Sequence, residues 1–81
     1  GQERSLFGHV VNISSTGAQI LCKDDIRSGE KLDLTFLNER RDTIADIPGA
    51  VVWHHQETPG QYRIGVQLAR EFTYEEIASI E

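Results

Sequence analysis

Cysteine is nearly absent from this 81-residue chain: Cys22 stands alone, so no internal disulfide can staple the fold. A lone thiol fits a reducing compartment, where it serves as a small core residue. Basic residues are also few, with eight Lys and Arg against thirteen Asp and Glu for a net charge of −5. That balance excludes a domain whose main task is to coat nucleic acid or an anionic membrane, because such binding is driven by clustered Lys and Arg. No DNA or RNA partner is expected, and any positive patch must be local. Long apolar runs are missing too. None approaches the ~18 residues of a membrane span, and the opening GQERSLFG has no charged-then-apolar leader pattern. The expectation is a soluble chain without direct membrane insertion. With two prolines and seven glycines the composition is neither collagen-like nor low-complexity, and 81 residues hold one modest core, so residues 1–81 read as a single domain.

What the sequence does have is alternation with a period of two, which predicts an all-β domain. Residues 7–13 place Phe7, Val11 and Ile13 on one parity with His9 among them, and the run ends in the turn chemistry of Ser14-Ser15-Thr16-Gly17. A second strand follows at 18–22. After a polar connection around the single apolar Ile26, Leu32, Leu34 and Phe36 alternate with Lys31, Asp33 and Thr35 as in a half-buried strand. A charged hairpin tip at 38–42 leads into a long strand from 43 to about 54, in which Ile44 is out of phase with Ile47, Val51 and Trp53. Pro48-Gly49 sits at the change of register, so a bulge or corner is expected there. Trp53 shares the phase of Val51 and is assigned to the core, since large aromatics mostly serve packing. A hairpin at 56–60 precedes a last strand at 62–68. Thr73 with Glu76 matches a capping box, and Phe72 with Ile77 a hydrophobic staple. These predict a helix over 74–80, too short to stand alone and docked through Tyr74, Ile77 and Ala78. Five strands, one of them bent, favour a small, strongly curled antiparallel sheet or barrel over a sandwich.

Enzyme readings find little support. His54 and His55 are neighbours on a strand, so their side chains point to opposite faces and cannot readily share a metal ion. His9 has no oriented partner in its own segment to make it a general base. The acidic residues are scattered through turns, and Ser14, Ser15 and Thr16 lack a neighbouring base. One constellation remains, Asn12, Ser14 and Gly17 in Asn-Ile-Ser-Ser-Thr-Gly. Asn12 offers an amide that donates and accepts, Ser14 a hydroxyl, and Gly17 either positive φ or close approach of a planar ligand. Residues of these types also populate strand connections for conformational reasons alone, so a plain turn is the competing reading.

The order Asn12-x-Ser14-x-x-Gly17, then Ser28-Gly29-Glu30 before an alternating strand, then Gly49-Ala50-Val51-Val52-Trp53, then Tyr62-Arg63-Ile64-Gly65-Val66-Gln67-Leu68 resembles the PilZ domain family, a bacterial receptor module for cyclic di-GMP. The resemblance runs from about Gly8 to Ile80. The six-residue motif is weakly specific by itself, and its order with the later strands is much more so. One family signature is missing. PilZ receptors carry two arginines spaced Arg-x-x-x-Arg before the first barrel strand, whereas Arg4 here has Gly8 four places on and Arg40 and Arg41 lie in a later hairpin. The chain reads as one strand short at its front: either the sequence begins inside a larger PilZ domain, or this is a divergent member without the arginine loop.

The resemblance implies a PilZ-like bent antiparallel β-barrel with a short C-terminal α-helix, acting as a regulatory domain without catalysis or cofactor. Its implied ligand is cyclic di-GMP, with Asn12, Ser14 and Gly17 touching guanine and ribose. Arg63, placed opposite Tyr62 and Ile64 by alternation, is either a further ligand contact or a plain exposed strand residue. Without the arginine pair, which suits both phosphate and the guanine edge, the 81 residues are expected to bind the nucleotide weakly. The implied setting is the bacterial cytoplasm, alone or within a larger or membrane-attached protein, with a flanking domain or partner protein reading the ligand-induced change. A PilZ-fold interaction module that binds no nucleotide is the alternative.

Overall fold

The computed structural model describes residues 8–80. Five strands form one antiparallel sheet: β1 (Gly8–Ile13), β2 (Gly17–Cys22), β3 (Lys31–Leu37), β4 (Thr43–Thr58) and β5 (Gln61–Leu68), followed by helix α1 (Tyr74–Ile80). Their order across the sheet is β1-β2-β5-β4-β3. The sheet curls into a half-barrel around Ile47, Ile64 and Val51, the most deeply buried large side chains. Phe7, expected to open the first strand, lies outside the described residues.

The 16-residue β4 pairs with β3 through its first half and with β5 through its second, and only Gly49 and Ala50 touch both neighbours. No register shift occurs at Pro48-Gly49. The phase changes instead at Ile44, the extra residue between the pairs Leu37–Thr43 and Phe36–Ala45, which puts Ala45 rather than Ile44 in line with Ile47 and Val51. Gly49 is needed for space: a Cβ there would meet Val66 Cγ1 at 2.7 Å and the carbonyl of Gln67 at 3.0 Å. The ladder between β4 and β5 continues past residue 54 to the pair Thr58–Gln61. Pro59-Gly60 closes it, with Gly60 at φ 81, as a type II turn requires.

The 23–30 connection, polar in sequence, drops Ile26 into the core at 2% exposure. Ser28 then fastens it to β4, donating to Nδ1 of His54 from its amide at 3.0 Å and sharing a 2.8 Å hydrogen bond through its hydroxyl. Cys22 is buried beside it, and burial pushes its thiol pKa up. At the other end Phe72 closes the core, edge-on to Phe36 with ring centroids 4.9 Å apart. The capping box is present: Thr73 Oγ1 accepts from the Glu76 amide at 3.1 Å and Glu76 accepts from the Thr73 amide at 2.8 Å. Arg70 forks onto the same carboxylate with two 2.9 Å bonds. Ile77 and Ile80 of α1 pack on the core, whereas Tyr74 is 86% exposed and Ala78 faces solvent. Docking through Tyr74 and Ala78 is therefore replaced by docking through Ile77 and Ile80, a spacing of three on one helical face.

Candidate functional site

Asn12 ends β1, and its side-chain carbonyl accepts from the Ile13 amide at 2.9 Å, which fixes the amide plane at the strand exit. Its Nδ2 donors have no protein partner among the described residues. The Ser14 amide then donates to the Gly17 carbonyl at 2.9 Å, closing the turn, and the Ser14 hydroxyl lies 3.5 Å from the same oxygen. Gly17 is not in the positive-φ region. A Cβ there would fall 2.9 Å from the Val66 carbonyl, so glycine is demanded by close passage of β5. The turn is held from below as well: Leu68 donates to the Thr16 carbonyl at 2.9 Å and Phe72 to that of Ser15 at 2.8 Å. The motif is thus a fixed turn, built by local polar bonds and two anchors from the segment that leads into α1.

Directly opposed residues of antiparallel strands share a face, and one such row runs Asn12–Gln19–Gly65–Trp53 across β1, β2, β5 and β4. Trp53 is on this outer face, 38% exposed, and not in the core. The reason is a bulge at Val52: Val51 opposes Val66 while Trp53 opposes the next residue, Gly65, so the pleat inverts. The indole lies against the bare main chain of Gly65. Together Asn12, Ser14, Gly17, Gln19, Trp53 and Gly65 line a shallow, open cleft of about 220 Å³. This is below the range of enclosing ligand pockets, roughly 300–1,000 Å³, so the site can receive one face of a planar group but cannot surround it. A wider hollow of about 520 Å³ between Lys31, Pro48 and Gln67 does not touch the motif.

Three of the four residues singled out from sequence, Asn12, Ser14 and Gly17, meet in this cleft. Arg63 lies on the same outer face, one row further along, and does not line the cleft; its Nε donates to Glu57 Oε1 at 2.5 Å. Trp53 and Gln19 were not anticipated. The available signal was Gly65 in an otherwise bulky strand, but tying it to Trp53 requires the register. His54 and His55 do point to opposite faces, His54 toward Ser28 and His55 alongside Arg63. Among the described residues no group of three or more His, Cys, Asp or Glu could hold a metal ion, and no helix is long and apolar enough to cross a membrane.

The family model of the PilZ domain matches residues 1–81. Neither the curated proteins nor the solved structures give a match. The curled five-stranded half-barrel with a short terminal helix agrees with the PilZ fold, and the family's role is regulatory and non-catalytic. The chain belongs to the PilZ domain family.

Proposed function

We propose that the domain is a cyclic di-GMP-responsive regulatory module, which receives a guanine on the outer face between the Asn12–Gly17 turn and Trp53. The observation that carries this reading is the convergence of Asn12, Ser14 and Gly17 with an exposed indole in one cleft. Asn12 Nδ2 and the Ser14 hydroxyl supply hydrogen bonds, and the Trp53 face gives a planar base a surface to stack on. Arg63 is a further contact on the same face. The family's known ligand supports the same reading.

Signal transfer follows from the anchors of the turn. Any shift of Ser15 is felt at Phe72 through their 2.8 Å hydrogen bond, and Phe72 leads directly into the capping box of α1. The readout is then an altered helix surface offered to a flanking domain or partner protein in the bacterial cytoplasm. The 81 residues contain no Arg-x-x-x-Arg, so this chain binds weakly, and a longer form carrying such a pair ahead of Gly1 binds more tightly.

Calorimetric titration with cyclic di-GMP tests the reading on both forms. Asn12→Ala and Ser14→Ala are each expected to weaken binding about threefold to tenfold, as loss of one neutral hydrogen bond does. Absence of binding by both forms would overturn it. That outcome favours the second reading, a PilZ-fold interaction module without nucleotide, which the 86% exposed Tyr74 on α1 supports.

A further inference from the structure

The outer face carries a second cross-strand row beside the first. His9 of β1 opposes Leu21, Leu21 opposes Arg63, and Arg63 opposes His55 of β4. Neighbouring rows on one face are two residues apart, about 7 Å, so this row borders Asn12, Gln19, Gly65 and Trp53. Both histidines are exposed. The surrounding charge is unusual for so acidic a chain: β1, β2 and β5 contain no Asp or Glu, although the chain has thirteen. The second half of β4 holds one, Glu57. Glu57 is the extra residue of the bulge between Gln56 and Thr58, and it lies on Arg63. It engages Nε only, and the two terminal guanidinium nitrogens have no protein partner among the described residues.

We propose that His9, Arg63 and His55 form the phosphate-facing row of the ligand face, and that Glu57 is an internal anion that occupies Arg63 until a phosphodiester displaces it. The inference rests on the cyclic di-GMP reading above. A guanidinium and an imidazole N–H both donate to phosphate oxygens. A carboxylate and a phosphodiester are anionic acceptors that compete for the same donors. Glu57 therefore opposes binding twice, by holding Nε and by placing negative charge among strand segments that carry no other carboxylate.

The test is an NMR titration of the 81-residue chain with cyclic di-GMP, following main-chain amide, Arg63 guanidinium and histidine ring signals. Glu57→Gln is expected to tighten the Kd about twofold to fivefold, in the range of one exposed ion pair. Arg63→Gln should weaken it tenfold or more, and His9→Gln combined with His55→Gln about threefold to tenfold. If Asn12→Ala weakens binding but Glu57→Gln does not strengthen it, or Arg63→Gln has no effect, the row does not face phosphate even though the ligand is right. If the 81-residue chain shows no binding of cyclic di-GMP, the ligand reading is decided by the longer form and pyrophosphate becomes the probe of the row. Shifts confined to Arg63, His9 and His55, larger in Glu57→Gln, then uphold the row; their absence overturns it.

Discussion

Trp53 covers Gly65 so closely that a Cβ built on the glycine would fall 2.1 Å from the indole Nε1 and 2.3 Å from Cε2. The two residues are cross-strand partners, and the exposed shelf of the cleft exists only because one of them has no side chain. Gly65→Ala must therefore lift the indole away from the sheet. Because Trp53 is the sole tryptophan and already 38% exposed, the expected stability loss is about 1–2 kcal/mol. Fluorescence emission should shift to longer wavelength, and unchanged emission would show that the indole does not rest on Gly65.

Acid should loosen the start of α1 through Glu76. Arg70 first, and then the Thr73 amide, hold its carboxyl well below the ordinary 4.5, at about 2. A depressed folded-state value means that the stabilisation is present in full above about pH 4.5 and is lost as pH falls from there toward 2. Glu76→Gln is expected to flatten this part of the pH profile while leaving the neutral-pH slope alone. Urea midpoints of both proteins across that interval check it.

Phe72 is 5% exposed and meets Phe36 edge to face, so Phe72→Ala should cost about 3–5 kcal/mol. That is a large share of the ~5–15 kcal/mol typical of a folded domain. Phe72→Leu, which keeps most of the volume, should cost clearly less. Equal midpoints for the two variants in urea would place Phe72 outside the cooperative core.

His54→Ala removes the acceptor of the Ser28 amide, and the expected cost is about 1 kcal/mol. Hydrogen exchange should accelerate at Ser28. Gly29, whose amide donates to the Val51 carbonyl at 2.7 Å, should stay protected. Acceleration at both would mean that the whole connection depends on the imidazole.

Strand positions and the capped helix were legible from the sequence because alternation and the Thr73–Glu76 spacing are local signals. The Asn12–Gly17 cluster was legible for the same reason. What escaped depends on register. A bulge adds one residue and inverts every later side chain, so Val52 moved Trp53 from the expected core to the outer face, and Ile44 rather than Pro48-Gly49 changed the phase of β4. Ile26 looked like an isolated apolar residue in a polar connection because its burial depends on a half-barrel closed by distant strands. The role of Gly17 was half visible: its need for space could be foreseen, but the neighbour that takes the space is β5.

The pairing pattern also divides the described residues into two locally closed pieces, the β1-β2 hairpin and the β3-β4-β5 meander, joined among these residues by one remote ladder, between β2 and β5. Every other ladder joins sequence neighbours, so this seam carries most of the loop-closure entropy of folding and is the step expected to limit its rate. The cleft straddles it, with Asn12, Ser14, Gly17 and Gln19 on one side and Trp53 and Gly65 on the other. A molecule seated there acts as a suture across the most non-local joint of the described sheet, so occupancy of the cleft and closure of the seam draw on the same free energy.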